Sequence, residues 1–377
     1  MSRILPLFLA CLLLPLQARA DDTCPDRAAY APARELIAEL GRIVAPEGVQ
    51  EAFEVPVNGV RHWVNVRGQD RDNPLILFVH GGPASPVIPT LWQFQRPLEE
   101  YFTIAHYDQR GAGRTFRLNP HEAIDGTLTI DQYVDDAVAL AEHLRVRYGK
   151  RKVVLASHSW GTVVGMHAAL RRPDLFHAYV GMGQVIHVRT NERLSFEYGL
   201  ERARAEGNAA AVAEMESIAP YPGEEPVTRE RIVIARKWPQ HYGGMSAFRD
   251  ESRWFYQGPR LSPDYDDADR CAINAGNVFT LGRLLDEFLQ VDFRDVRQFP
   301  VPVVMFMGRH DWTTPSQPTA DWLEQVRAPY KAGVWFERSS HMMPWEEPGR
   351  TLVSLLEHVR PLALDGEAEG SAPTGAR

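Results

Sequence analysis

The stretch from Lys152 to His167, KVVLASHSWGTVVGMH, constrains this chain more than any other. It opens on Val153-Val154-Leu155, a β-branched apolar run of the kind that forms a strand buried on both faces. It closes on Thr162 to Leu170, regular enough to be a helix packed on a sheet. Between them stand Ser157-His158-Ser159-Trp160-Gly161, a tight strand-to-helix turn with a serine at its centre. Such a turn lifts the Ser159 hydroxyl clear of the sheet, and the helix N-terminus behind it favours negative charge forming there. The usual pattern is Gly-x-Ser-x-Gly, and Ser157 holds the place of the first glycine with a small side chain. Centring the turn on Ser157 would put Leu155 where a small residue is needed, so the register rests on Ser159.

The flanking chain repeats the same alternation. Phe53 to Val57 and Arg61 to Val66 read as strands joined through Asn58-Gly59, a strong hairpin signal. Pro74 to His80 and Phe102 to Tyr107 read as buried strands, and Thr129-Ile130-Asp131-Gln132 has the capping-box form for a helix to about Tyr148. A further strand follows near Tyr179 to Met182, and the pattern resumes at Val301 to Gly308 and Gly333 to Phe336, before a final helix over 350–360. Buried strands alternating with amphipathic helices predict an α/β fold, a mostly parallel central sheet covered on both faces. From Val185 to Phe299 the rhythm changes to charged helix formers (194–206, 209–218, 279–289) and Pro/Gly loops, which reads as a helical cap inserted over the C-terminal edge of the sheet.

The ends read differently from the middle. Residues 1–20 have a basic start at Arg3, an apolar run from Ile4 to Leu16 and small residues at Ala18-Arg19-Ala20, the form of a secretory signal processed before Asp21. The run is too short for a membrane span, and it continues past Cys11, which disfavours acylation there. An exported, periplasmic or secreted protein follows. Residues 21–50 form an N-terminal arm with one helix near 31–43, 51–184 and 300–363 form the core, 185–299 the cap, and 364–377 a disordered tail. With the signal removed, Cys24 and Cys271 are the remaining thiols, and in an oxidising compartment they can pair. A net charge of −8 without a basic block excludes a nucleic-acid partner, and no Cys/His cluster has metal-ligand spacing, so neither metal nor cofactor is expected.

A serine hydroxyl is a weak nucleophile until a base takes its proton and an acid orients the base. Two later motifs supply them in the order Ser, Asp, His, each after a strand. Gly308-Arg309-His310-Asp311-Trp312 follows the strand ending at Met307, and Ser339-Ser340-His341-Met342 precedes the last helix. Asp311 is the orienting acid and His341 the base, while His158 and His310 are supporting or incidental. His80-Gly81-Gly82-Pro83 follows the strand Leu75 to Val79, and its glycines allow close backbone approach. The Gly82 N–H, with that of Trp160, is the expected oxyanion donor.

Together with Asp108-Gln109-Arg110-Gly111-Ala112-Gly113-Arg114-Thr115, these residues resemble the α/β-hydrolase superfamily, more narrowly its proline iminopeptidase branch. The resemblance implies an α/β-hydrolase fold with a helical cap, no cofactor, a structural role for Arg110, and short peptides or other small molecules as substrates. It also implies cap carboxylates that bind the substrate's free amino group. No motif places them; Glu192, Glu197, Glu201, Asp250 and Glu251 are the candidates, each read more simply as a solvated helix charge. The family's His-Gly-Gly-Pro-Gly closes here on Ala84, and Trp254-Phe255-Tyr256-Gln257-Gly258 resembles a family string but lies further from the serine. An aminopeptidase releasing N-terminal proline or other residues is the first expectation, an esterase or lactonase the second. Epoxide hydrolases and dehalogenases carry Asp at the turn, and the intact Ser/Asp/His set argues against a non-catalytic binding protein.

Overall fold

The structure, a computed structural model, describes residues 30–224, 226–249 and 251–368. The expected signal, Cys24, Asp250 and residues 369–377 lie outside the described residues. The strands are β1 (Val49–Val57), β2 (Val60–Gly68), β3 (Leu75–Val79), β4 (Thr103–Tyr107), β5 (Val153–His158), β6 (Phe176–Met182), β7 (Val303–Gly308) and β8 (Lys331–Phe336). They form one sheet in the order β1-β2-β4-β3-β5-β6-β7-β8. β1, β2 and β4 pair antiparallel, and every other pairing is parallel. The hairpin turns at Asn58 and Gly59, both at positive φ, as the sequence signal requires. β3, β4, β5, β6 and β7 are buried at every residue, which is why their sequences are continuous apolar runs rather than alternating ones.

The helices are α1 (Ala31–Leu40), α2 (Gly113–Leu118), α3 (His121–Asp125), α4 (Ile130–Arg147) and α5 (Gly161–Arg171), then α6 (Val188–Ala205), α7 (Ala209–Glu216), α8 (Arg229–Pro239), α9 (Arg253–Gln257) and α10 (Asp267–Phe288). After β7 come α11 (Gln317–Gln325), α12 (Met343–Glu346), α13 (Pro348–His358) and α14 (Arg360–Ala368). Helices α6 to α10 make up the inserted segment between β6 and β7. The expected capping box at Thr129 is half made: its hydroxyl accepts from the Gln132 N–H at 3.2 Å, but the Gln132 side chain turns to Asp136 instead. α10 starts well before the expected Phe279, where Asp266 and Asp269 cap one another reciprocally. The tail expected to lose structure from Leu364 instead continues as α14 to Ala368. Ala363 is buried in the core, and Gly366 leaves no room for a side chain beside the His177 ring, so packing carries the helix on.

The Asp-Gln-Arg-Gly loop joins core to cap. Arg110 is fully buried, holds Asp136 through two bonds of 3.0 Å, and receives the Tyr133 hydroxyl on its carbonyl at 2.6 Å. Asp108 faces the other way. Its Oδ2 accepts from the Arg114 N–H at 2.8 Å and from the Tyr265 hydroxyl of the cap, while Oδ1 is buried without a partner. Arg114 in turn pairs with Asp269 on α10, and the Asn277 amide donates to the Pro83 carbonyl at 2.6 Å.

Burial pushes the Asp108 carboxyl up from 3.8 to about 7, with the Tyr265 bond offsetting part of that cost. The folded protein therefore holds this proton more tightly than the unfolded chain. The resulting stabilisation is complete below pH 3.8 and is lost as pH rises through about 7. Asp108→Asn cannot ionise, so its melting temperature is expected to fall less than that of the wild type between about pH 5 and pH 8. Equal declines in a thermal scan would refute this latch.

Candidate active site

The turn between β5 and α5 places Ser159 at φ +55°, a left-handed conformation rare for a residue with a side chain. The Ser159 N–H donates to the Met182 carbonyl at 2.9 Å, at the end of β6. On the other side, a side chain at Gly161 would run into the Val79 carbonyl at the end of β3. Both flanks of the turn are thus fixed by neighbouring strands, and Ser159 itself is half-buried beneath the cap. The unusual Ser157 is accommodated by the helix: a Cβ at Gly165 would collide with the Ser157 hydroxyl, which lies beside the Tyr179 phenol.

The Asp311 and His341 loops meet at the same edge. His341 Nδ1 lies 2.9 Å from Asp311 Oδ2, and both side chains are buried. Asp311 Oδ1 accepts the Thr314 N–H at 2.7 Å, so the carboxylate cannot rotate away. The pair rests on Gly183, just past β6, where an added Cβ would come within 2.8–2.9 Å of the His341 ring. With Nδ1 donating to Asp311, Nε2 is left as the imidazole's lone-pair atom. The Ser159 hydroxyl has no hydrogen bond to His341 among the described residues. His158, expected to be supporting or incidental, supports this loop: its Nε2 lies 2.9 Å from the His341 carbonyl and the two rings are 4.7 Å apart. Burial lowers the His158 pKa to about 3, so it is neutral and donates through Nε2. His310 lies outside this pair, against Phe248.

The Gly82 loop closes over the serine from the β3 side. A Cβ on Gly81 would stand 3.0 Å from that of Ser159, and Gly82 takes φ +127°. Among the described residues, neither the Gly82 nor the Trp160 backbone N–H donates to another group, and both residues border the same cavity as Ser159. Gln109 holds the two sides together. Its Nε2 donates to the His80 carbonyl at 2.6 Å, its Oε1 accepts the Trp160 indole at 3.1 Å, and its N–H donates to His80 Nε2 at 3.0 Å. His80, whose pKa burial lowers to about 4, is therefore neutral and donates from Nδ1 to the Gly81 carbonyl. The sequence offered only the Asp-Gln-Arg-Gly run as a signal for Gln109, not its reach.

Of the candidate cap carboxylates, Glu192 lines the Ser159 cavity. It is 3% exposed and bonded to Arg236 and to the Tyr221 hydroxyl at 2.6 Å. Glu197 and Glu251 are exposed beside Arg193 and Arg253, away from this cavity, and Glu201 is an exposed helix charge. The cavity also takes Asn191 and Arg236, neither of which the sequence singled out. A larger cleft of about 580 Å³ lies behind Asp311, among Trp312, Trp322 and Trp335, and does not include Ser159. Cys271, on α10, is disulfide-bonded. Among the described residues, no three His, Cys, Asp or Glu are grouped to hold a metal ion, and no helix is long and apolar enough to cross a membrane.

A mostly parallel sheet with a serine on the β5 turn and a buried Asp–His pair at the same edge defines a hydrolase architecture, and the chain matches the alpha/beta hydrolase family over residues 76–355. It belongs to that family. It is similar to the probable aminopeptidase YbaC of Bacillus subtilis, 28% identical over 318 residues that span 81% of this chain and 95% of that protein. An epoxide hydrolase of Caballeronia sordidicola is 31% identical over 162 residues, 42% of this chain and 44% of that one. In fold, the chain resembles the proline iminopeptidase of Mycobacterium smegmatis, with a TM-score of 0.61 at 18% identity over 84% of this chain and all of that one.

The packing of Ser157 against Gly165 can be tested directly. Gly165→Ala is expected to cost roughly 1–3 kcal/mol by overpacking. Adding Ser157→Gly should return a good part of that loss in denaturant midpoints. No recovery would show that the Tyr179 ring, 2.8 Å from the added methyl, sets the limit instead.

Proposed function

We propose that the protein is a serine hydrolase that releases the N-terminal residue of short peptides through an acyl-enzyme on Ser159. The observation that carries this reading is the convergence of Ser159, two unpaired backbone N–H groups and the Asp311–His341 pair at one edge of the sheet. His341 Nε2 takes the Ser159 proton as the hydroxyl attacks the carbonyl carbon, and the Gly82 and Trp160 N–H groups meet the oxyanion. His341 then gives the proton to the leaving amine. Water, deprotonated by the same imidazole, releases the acyl group. Asp311 holds the tautomer and stabilises the imidazolium. The similarity to a probable aminopeptidase along 95% of its length supports a peptide substrate.

One observation favours a second reading, an esterase. Glu192 already has Arg236 beside it, so the charged groups lining the cavity balance and do not by themselves attract an ammonium group. Amide and ester hydrolysis share the tetrahedral chemistry, so substrates must separate them. A fluorophosphonate probe is expected to label Ser159, and Ser159→Ala to lose labelling and roughly 10⁴-fold or more in kcat. Folded wild type that resists the probe would end the nucleophile assignment. Aminoacyl arylamides are expected to turn over with a free amino group and to slow when it is acylated; turnover of esters alone, indifferent to such blocking, would select the esterase.

We also propose that the protein is exported, with Cys24 as the partner of Cys271. The apolar segment before Asp21 and the disulfide at Cys271 support this. Mass spectrometry of exported protein is expected to find Asp21 as the first residue and a Cys24–Cys271 linked peptide. Retention of the leader, or a free Cys24 thiol, would contradict it.

A further inference from the structure

Among the polar side chains that line the cavity at Ser159 and that the proposed mechanism does not use, Asn191 stands apart because its amide oxygen is buried without a partner. Asn191 lies in the first turns of α6 and is 4% exposed. Its backbone N–H donates to the His187 carbonyl at 3.0 Å, but its carboxamide bonds to no described residue, and Oδ1 is buried without a partner. It borders the same space as Ser159, with Val188 and Phe288 supplying apolar wall. An unmade hydrogen bond on a buried amide costs about 1–3 kcal/mol, and native interiors hold few such groups. Glu192, the neighbouring residue, does not share this condition, since Arg236 and Tyr221 each take one of its oxygens.

We propose that Asn191 is the specificity contact for the acyl group, and that it reads an amino, imino or hydroxyl substituent on the carbon next to the scissile carbonyl. This rests on the serine-hydrolase reading above. The room beside Ser159 is about 10 Å³, on the scale of one water molecule. A substituent that meets Asn191 while its carbonyl is held at Ser159 has to lie in the space these two residues share, and the α-carbon is the first position of the acyl group that can carry one. A carboxamide offers an acceptor and a donor together, matching a group that has both N–H or O–H hydrogens and a lone pair. The balanced charges of Glu192 and Arg236 suit such a neutral partner better than an ion. Selection then comes from a bond made, not from net charge. An acyl group lacking the substituent would leave the Asn191 amide unpaired in a closed space, which is how a polar site rejects an apolar analogue.

The test compares alanyl, 2-hydroxypropanoyl and propionyl p-nitrophenyl esters on the wild type and on Asn191→Leu, a variant of similar volume. The wild type is expected to favour the first two over propionyl in kcat/KM. In Asn191→Leu those preferences fall roughly 10–100-fold, while the melting temperature does not drop, because an apolar residue replaces an amide that had no partner. A fall confined to the alanyl or to the 2-hydroxypropanoyl ester supports the proposal and identifies the substituent read. Unchanged preferences overturn it, as does a lowered melting temperature with all three esters slowed alike, the signature of a structural role. Wild type that hydrolyses none of the three esters or the arylamides overturns the serine-hydrolase reading and this inference with it; turnover with no preference for the substituted esters overturns this inference alone.

Discussion

The left-handed backbone at Ser159 is the constraint on which the rest of the site depends. A residue with a side chain holds that conformation at a cost of order 1–3 kcal/mol, and it persists only where the surroundings determine it from several directions. Here they do. The Ser159 N–H is held by Met182 at the end of β6, and Gly161 lies against the end of β3. The Thr162 hydroxyl donates to the Ser159 carbonyl at 2.6 Å and accepts the Val185 N–H at 3.0 Å, tying the turn to the first residues of the cap segment. Because β5 lies between β3 and β6, the strand order itself supplies both clamps. The same two strands carry the Gly82 loop and Gly183, so the position of the serine and the positions of its partners are set by one piece of packing.

Burial keeps the other imidazoles around the serine uncharged. His80, His106 and His158 are buried nearby, and burial lowers their pKa values to about 4, 3 and 3. Each remains neutral and acts as a hydrogen-bonding strut. An imidazolium at any of them would oppose the one that the proposed mechanism forms on His341. The ionised groups, by contrast, are matched in place: Arg110 with Asp136, Arg114 with Asp269, and Glu192 with Arg236. A low-dielectric site tolerates charge only in this form.

What the sequence reveals follows from the distance over which each feature is encoded. The strands of the sheet and the Ser159 turn depend on neighbours within a few residues, and runs such as Val153-Val154-Leu155 show them directly. Asp311 and His341 are legible because each follows a strand that is itself legible. The cap is different. The sequence shows α10 only in its C-terminal part, because its start, Asp267-Ala268-Asp269-Arg270, carries its apolar residues too sparsely to show a helical period, although its Asp266–Asp269 cap is local. The Glu192–Arg236 pair spans 44 residues and joins α6 to α8, which no periodicity reports. Ser157 is intermediate: as a departure from glycine it is visible, but the compensating space at Gly165 is seen only in three dimensions. Gln109 is visible as part of a motif, yet its three bonds to His80 and Trp160 depend on strand order.

The polar groups of the site fall into two sets by their hydrogen bonds. Gln109, His80, His158, Asp311 and Glu192 have their bonds closed within the protein. The Gly82 and Trp160 N–H groups, the Ser159 hydroxyl and the Asn191 amide do not among the described residues, and the four residues border one cavity. The first set makes the second useful. A donor aimed at a developing oxyanion stabilises it strongly only if it need not reorient, and it need not reorient when the atoms behind it are already bonded. In the proposed mechanism Gln109 serves both oxyanion-side residues, by holding the His80 carbonyl and the Trp160 indole. Asn191 lines the same space, on a helix whose neighbouring side chain, Glu192, is anchored by Arg236. In the proposed reading, reaction chemistry and acyl-group selection fall on different parts of the fold: the first on the sheet edge, where sequence pattern is strong, and the second on the inserted helices, where contacts between distant residues decide it.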